Sequence, residues 1–153
     1  MAVRPRRVFE LMHLDVVTLR PDHTLVEAQE ILASKSVSGA PVVDAAGRVL
    51  GVVSQSDLVR QAAHPDTVAQ TGQFFSSVED YADLGTTRIA ASSQRVSDVF
   101  TPRVYSVNRD TGVAVAASIM RERRIHRLLV IDKGVLVGII SSLDLLRVVE
   151  ELC

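Results

Sequence analysis

Hydrophobic positions along the chain switch between two spacings, and the order of the switches occurs twice. A short apolar run, VVTL at 16–19, predicts a β segment that leads through a polar turn into a helix with Leu25, Ala28 and Leu32 on one face. Thr24 and Glu27 hold the Thr-x-x-Glu spacing of a capping box, which satisfies exposed amide donors at the helix start. Two apolar strands follow, APVVD and RVLGVVS, joined by a tight Asp…Gly turn that reads as a hairpin, and SQSDLVR opens a closing helix. The second passage repeats this with VYSV at 104–107, a helix face of Val113, Ala116, Ala117 and Met120, strands LLVID and VLVGIIS, and the helix SSLDLLRVVEEL. Each copy is β-α-β-β-α.

Residue pairs make the duplication explicit. Val16 matches Val104, Thr18 Ser106, Asp22 Asp110, Ala28 Ala116, Val42 Val130 and Asp44 Asp132, all 88 positions apart. One residue is lost in the next turn, DAAG against DKG, and Gly51 then matches Gly138, Ser54 Ser141, Asp57 Asp144 and Arg60 Arg147 at 87. A deletion confined to a turn is what a duplication tolerates. A three-stranded sheet with one covered face cannot bury its apolar surface alone, whereas two copies can. The expected fold is α/β, of the α+β type: tandem β-α-β-β-α repeats in one pseudo-twofold module, with copies at 8–60 and 96–152. The intervening 61–95 is too long for a bare loop. Within it, FFSSVEDYADL at 74–84 predicts a helix docked on the module, and TTRIAASSQR at 86–95 is the candidate mobile stretch.

Composition narrows the partners. The 153 residues are 47% hydrophobic and 23% charged with net charge −1, so no global field draws the chain to nucleic acid or an anionic membrane. Aromatics are 4% with no Trp, which argues against a base-stacking surface. Cys153 is the single cysteine, which excludes an intrachain disulfide and a CxxC pair and fits a reducing, cytoplasmic setting. The longest apolar stretches, such as VLVGII, fall short of the ~18 to 20 residues of a membrane span, and MAVRPRRVFELM has no apolar run of a secretory signal.

Candidate chemistry concentrates where GVVSQSD and GIISSLD run a strand into a helix N-terminus. Such an end offers backbone donors to an anion. Ser54 and Ser141 add hydroxyls, and the carboxylates of Asp57 and Asp144 can accept both hydroxyls of a ribose diol. Ser-x-x-Asp is equally a capping motif, and the spacing alone leaves both readings open.

Two such copies, each closing on a glycine, two apolar residues and Ser-x-x-Asp, resemble the cystathionine-β-synthase (CBS) domain pair, or Bateman module. The resemblance is carried by SGAPVVDAAGRVLGVVSQSDLVR, RIHRLLVIDKGVLVGIISSLDLLR and VFTPRVYSV at 99–107, and leaves out only the 61–95 insert. It implies sheets fused face to face, two clefts, further homodimerisation into a disc of four repeats, and regulatory binding of an adenosine-containing ligand: AMP, ADP, ATP or S-adenosylmethionine. It also implies that His126 and Arg127, which replace Ser38 and Gly39, reach the phosphates of a nucleotide whose ribose the other copy's Asp holds. One cleft would then combine Val16, Thr18, Pro41, Ser54 and Asp57 with His126 and Arg127, and prefer phosphorylated ligands. The other, with Ser106, Ser141 and Asp144 facing Ser38 and Gly39, is poorer in cations. Leu129 in place of Pro41, and LMHLD at 11–15 lacking the Thr101-Pro102 step, set the clefts apart.

Enzyme motifs are missing: no phosphate loop, no G-x-G-x-x-G, no H-E-x-x-H and no G-x-S-x-G occurs. The reading is therefore non-catalytic, without metal or cofactor. His13, His23 and His64 lie apart and read as surface residues, and Arg4, Arg6 and Arg7 as a solvated terminal cluster. Three functions compete: a sensor whose ligand changes the surface read by a regulated protein, a homodimeric scaffold with vestigial clefts, and a polyphosphate or nucleic-acid binder using the arginines.

Overall fold

The computed structural model describes residues 4–64, 74–76, 88–90 and 92–153. Among the described residues ten regular elements follow in order: α1 Leu25–Ser34, β1 Gly39–Val43, β2 Val49–Ser54, α2 Gln55–Ala63, α3 Val96–Val99, β3 Ser106–Val107, α4 Val113–Arg123, β4 Arg127–Asp132, β5 Val135–Ser141 and α5 Ser142–Leu152, after one 3-10 turn at Val8–Glu10. Among the described residues no helix is long and apolar enough to cross a membrane.

The chain divides into two compact units that differ from the sequence copies. One holds residues 17–104; the other holds 1–16 together with 105–153. Each copy's leading segment thus folds with the strands and helices of the other copy. In the unit of residues 17–104, β1 and β2 form an antiparallel hairpin, Thr101 bridges Val52 antiparallel, and Leu19 bridges Val42 parallel. In the other, β4 and β5 form the hairpin, His13 bridges Ile139 antiparallel, and β3 pairs β4 parallel. Both hairpins shift register at matching places, between Val42 and Val43 and between Val130 and Ile131. The DKG turn closes tightly because Lys133 and Gly134 both take positive φ, 52° and 83°, the geometry of a two-residue hairpin turn. The longer DAAG turn is held by Asp44 Oδ1, which accepts from the amides of Ala46 and Arg48 at 2.9 Å each.

Thr24 caps α1 in the predicted capping box, and Leu25, Ala28 and Leu32 are fully buried in a core with Leu19, Val42, Val53 and Leu58. Three expectations are corrected. The β run at 16–19 shrinks to the Leu19 bridge, and the Val16 amide bonds back to the Leu14 carbonyl at 3.1 Å instead of to a neighbouring strand. Ile89, inside the stretch expected to be mobile, is buried in that core, and its amide donates to Gln29 Oε1 at 2.8 Å. Residues 74–76 form a turn rather than the start of a helix, and the rest of the predicted 74–84 helix lies outside the described residues.

Candidate functional site

Both Ser-x-x-Asp stretches fold as capping boxes. Ser54 and Ser141 leave their strands extended, with φ −105° and −115°, and each hydroxyl accepts from the amide three residues on. Each aspartate reaches back to the amide of its own serine, at 3.2 Å for Asp57 and 2.8 Å for Asp144. The first helical amides are also taken: Gln55 donates to the Ser38 carbonyl at 2.7 Å and Ser142 to the His126 carbonyl at 2.8 Å. Of the first three amides of each closing helix, two are therefore engaged internally, and the expected anion seat is reduced. What each junction retains is a buried acceptor, Asp57 at 4% exposure and Asp144 at 9%.

The two acids have different company. Asp57 Oδ1 meets Arg60 Nη1 at 3.3 Å, and Oδ2 accepts from the Ser54 amide. Asp144 Oδ2 accepts from both the amide and the hydroxyl of Ser141, at 2.8 and 3.0 Å, while Oδ1 lies 2.8 Å from His13 Nε2. A carboxylate only accepts, so Nε2 carries the hydrogen. His13, read from sequence as a surface residue, keeps a 64% exposed side chain yet contacts a candidate site residue 131 positions away. The signal that marks it is its alignment with Thr101. Thr101 makes the matching bridge in the other unit, and its buried hydroxyl has no hydrogen-bond partner among the described residues.

The positions flanking each serine also diverge. Gly39 stands opposite Ser54 in the β1–β2 register, and Arg127 stands opposite Ser141 in β4–β5. A Cβ at Gly39 would come within 2.7 Å of the Val53 carbonyl and 3.0 Å of the Phe74 ring. Phe74 is buried and packs edge-on against Phe75, with centroids 4.9 Å apart, so this part of the 61–95 insert is docked on the first hairpin. Arg127 is itself only 6% exposed. Pro41 and Thr18 share the unit of Ser54 and Asp57, whereas Val16, Ser106, His126 and Arg127 share that of Ser141 and Asp144.

Of the terminal arginines, Arg4 and Arg7 are exposed as expected, and Arg6 is half-buried. Arg6 pairs with Glu151 of α5 and with Glu10, and Arg4 bonds Glu10 at 2.6 Å. The Arg7 amide and the Arg4 guanidinium hold the Glu10 carboxyl below its ordinary range. Arginines committed to carboxylates make a poor polyanion surface. They rim an apolar groove of about 400 Å³ between α4 and α5 that none of the candidate site residues lines.

Comparison with known proteins agrees with this architecture. The CBS domain family matches residues 8–64 and 96–151. The chloroplastic CBS domain-containing protein CBSX1 of Arabidopsis thaliana is 30% identical over 142 residues, covering 87% of this chain and 58% of CBSX1. The chain spans only part of the first curated relatives, 23% of one and 37% of another. Among solved structures, CBSX2 of Arabidopsis thaliana in complex with AMP superposes with a TM-score of 0.69 at 24% identity, covering 95% of this chain and 97% of that one. The CBS domain pair of protein MJ0100, in complex with 5'-methylthioadenosine and S-adenosyl-L-methionine, gives 0.69 at 18% identity, covering 98% and 100%. The chain belongs to the CBS-domain family and is folded as a CBS-domain pair.

Proposed function

We propose that this CBS pair is a non-catalytic regulatory module for an adenosine-containing ligand, whose ribose diol is accepted by Asp57. The observation that carries the reading is the Asp57 carboxylate: it is buried, fixed by its own cap, and has one acceptor position left on each oxygen. The ligands of the two solved neighbours support it by their common part. AMP carries a phosphate, S-adenosylmethionine an amino acid and methylthioadenosine neither, and all three share adenine and a ribose diol. Ser54, Thr18 and Pro41 belong to the same unit as Asp57; that Arg127 and His126 supply a preference for phosphate is what the CBS resemblance implies. Regulation requires that the ligand favour one conformation, which a partner protein then reads. The cytoplasm is the compartment that fits the lone Cys153.

A thermal-shift panel of AMP, ADP, ATP, S-adenosylmethionine and NAD, with GMP as control, tests the reading. A bound ligand at a hundredfold its Kd adds about 2.7 kcal/mol, which for a domain of this size raises Tm by roughly 5–11 °C. No shift with any adenosine compound overturns the sensor and favours the scaffold.

We further propose that the chain self-associates through α4 and α5. Leu143, Leu146, Val149 and Leu152 of α5 are more than half exposed, and Leu146 and Val149 border the apolar groove with Val113 and Ala117. A second copy, presenting the same face, is the occupant the CBS resemblance implies. Leu146→Glu is expected to convert a dimer to monomer in light scattering without lowering AMP affinity. A wild-type protein that is monomeric at micromolar concentration overturns this.

A further inference from the structure

We infer that His13 closes the second copy's acid to a ribose diol, so that the pair takes one adenosine ligand, at Asp57, and not two. The inference rests on the adenosine reading above and adds which junction is competent and what decides it. A carboxylate offers about four lone-pair positions, two on each oxygen, and a vicinal diol donates one hydroxyl to each oxygen. At Asp144 the Ser141 amide and the Ser141 hydroxyl take both positions on Oδ2, and His13 Nε2 takes one on Oδ1. No oxygen pair remains for a diol. At Asp57 one position on each oxygen is filled, by the Ser54 amide and by Arg60. The Ser54 hydroxyl contributes to this difference, since it pairs with Ser56 at 3.1 Å instead of with its aspartate.

The duplication supplies an internal control. His13 and Thr101 are matched in sequence and make the same antiparallel bridge in their respective units, to Ile139 and Val52. Their main chains do the same work; only the side chains differ. Thr101 turns no group onto Asp57, and its hydroxyl stays buried without a partner among the described residues. The imidazole of His13 is long enough to reach Asp144 and remains largely exposed, so it lies on the solvent side of a buried carboxylate, the side from which a ligand arrives.

His13→Thr, which installs the matched residue, tests the inference by isothermal titration with AMP. Wild type is expected to bind one AMP per chain, and His13→Thr two, the second at least ~10-fold tighter than any residual wild-type binding. The double variant His13→Thr with Asp144→Asn is expected to return to one. Because the His13 ring is exposed and its bridge is main-chain, the fold tolerates the change, and His13→Ala should behave alike. Two equivalents in wild type, or one in both His13 variants, overturns the role of His13 with the adenosine reading intact. No AMP binding by any of these proteins overturns both.

Discussion

Gly51→Ala is expected to destabilise the protein by about 3–5 kcal/mol, a fall in Tm of roughly 6–20 °C. A methyl group there would lie 2.3 Å from the Thr101 carbonyl oxygen and 2.4 Å from the Phe100 ring. The carbonyl cannot withdraw cheaply, since it accepts from the Val52 amide at 2.9 Å while the Thr101 amide donates back at 2.8 Å. Moving the crossing segment breaks both bonds and strands the polar groups of a buried Val52. The matched Gly138→Ala meets a softer neighbour, the Met12 sulfur at 2.8 Å, with the His13 carbonyl at 2.9 Å. A thioether with free rotors repacks, and the His13 carbonyl, though held by the same pair of bonds to Ile139, starts 0.6 Å farther away than the Thr101 carbonyl does from Gly51 (2.9 against 2.3 Å), so about 1–2 kcal/mol is expected. Urea or thermal unfolding of the two variants decides the order; equal losses would mean that the crossing segments do not press on the sheets as described.

That pair of glycines shows what a sequence can reveal about this fold. The repeat places them 87 positions apart, inside matching strands, so their correspondence was legible; what lies on top of them was not. Residues 8–16 and 96–104 carry the same apolar pattern, and pattern alone cannot tell on which copy each packs. The structure exchanges them, through the bonds of Val8 to Thr111 and of Val96 to His23. Capping boxes and hairpins were legible because their signals span three to five residues. The His13 contact was not, because a lone histidine has no local signature and its partner is 131 residues distant. Ile89 fails similarly: one apolar residue in a polar stretch has no periodicity to betray its burial.

At the site itself, Asp57→Asn is expected to weaken AMP and methylthioadenosine alike, by roughly 100-fold, or about 2.7 kcal/mol. The amide replaces one acceptor oxygen with a donor and removes the charge, so one diol hydroxyl loses its partner and the other keeps a weaker one. Arg127→Ala separates the two ligands. If the arginine meets the phosphate, as the CBS resemblance implies, AMP loses a charge-assisted contact and roughly 10- to 100-fold in affinity, while methylthioadenosine, with no phosphate, binds as before. Arg127 is buried in β4, and its removal also leaves a gap beside Ser141, so a purely structural role would depress both ligands together. Titrations of the two compounds against the two variants therefore give four affinities. Parallel losses in Arg127→Ala, or an Asp57→Asn variant that binds like wild type, would show that sugar and phosphate are held elsewhere.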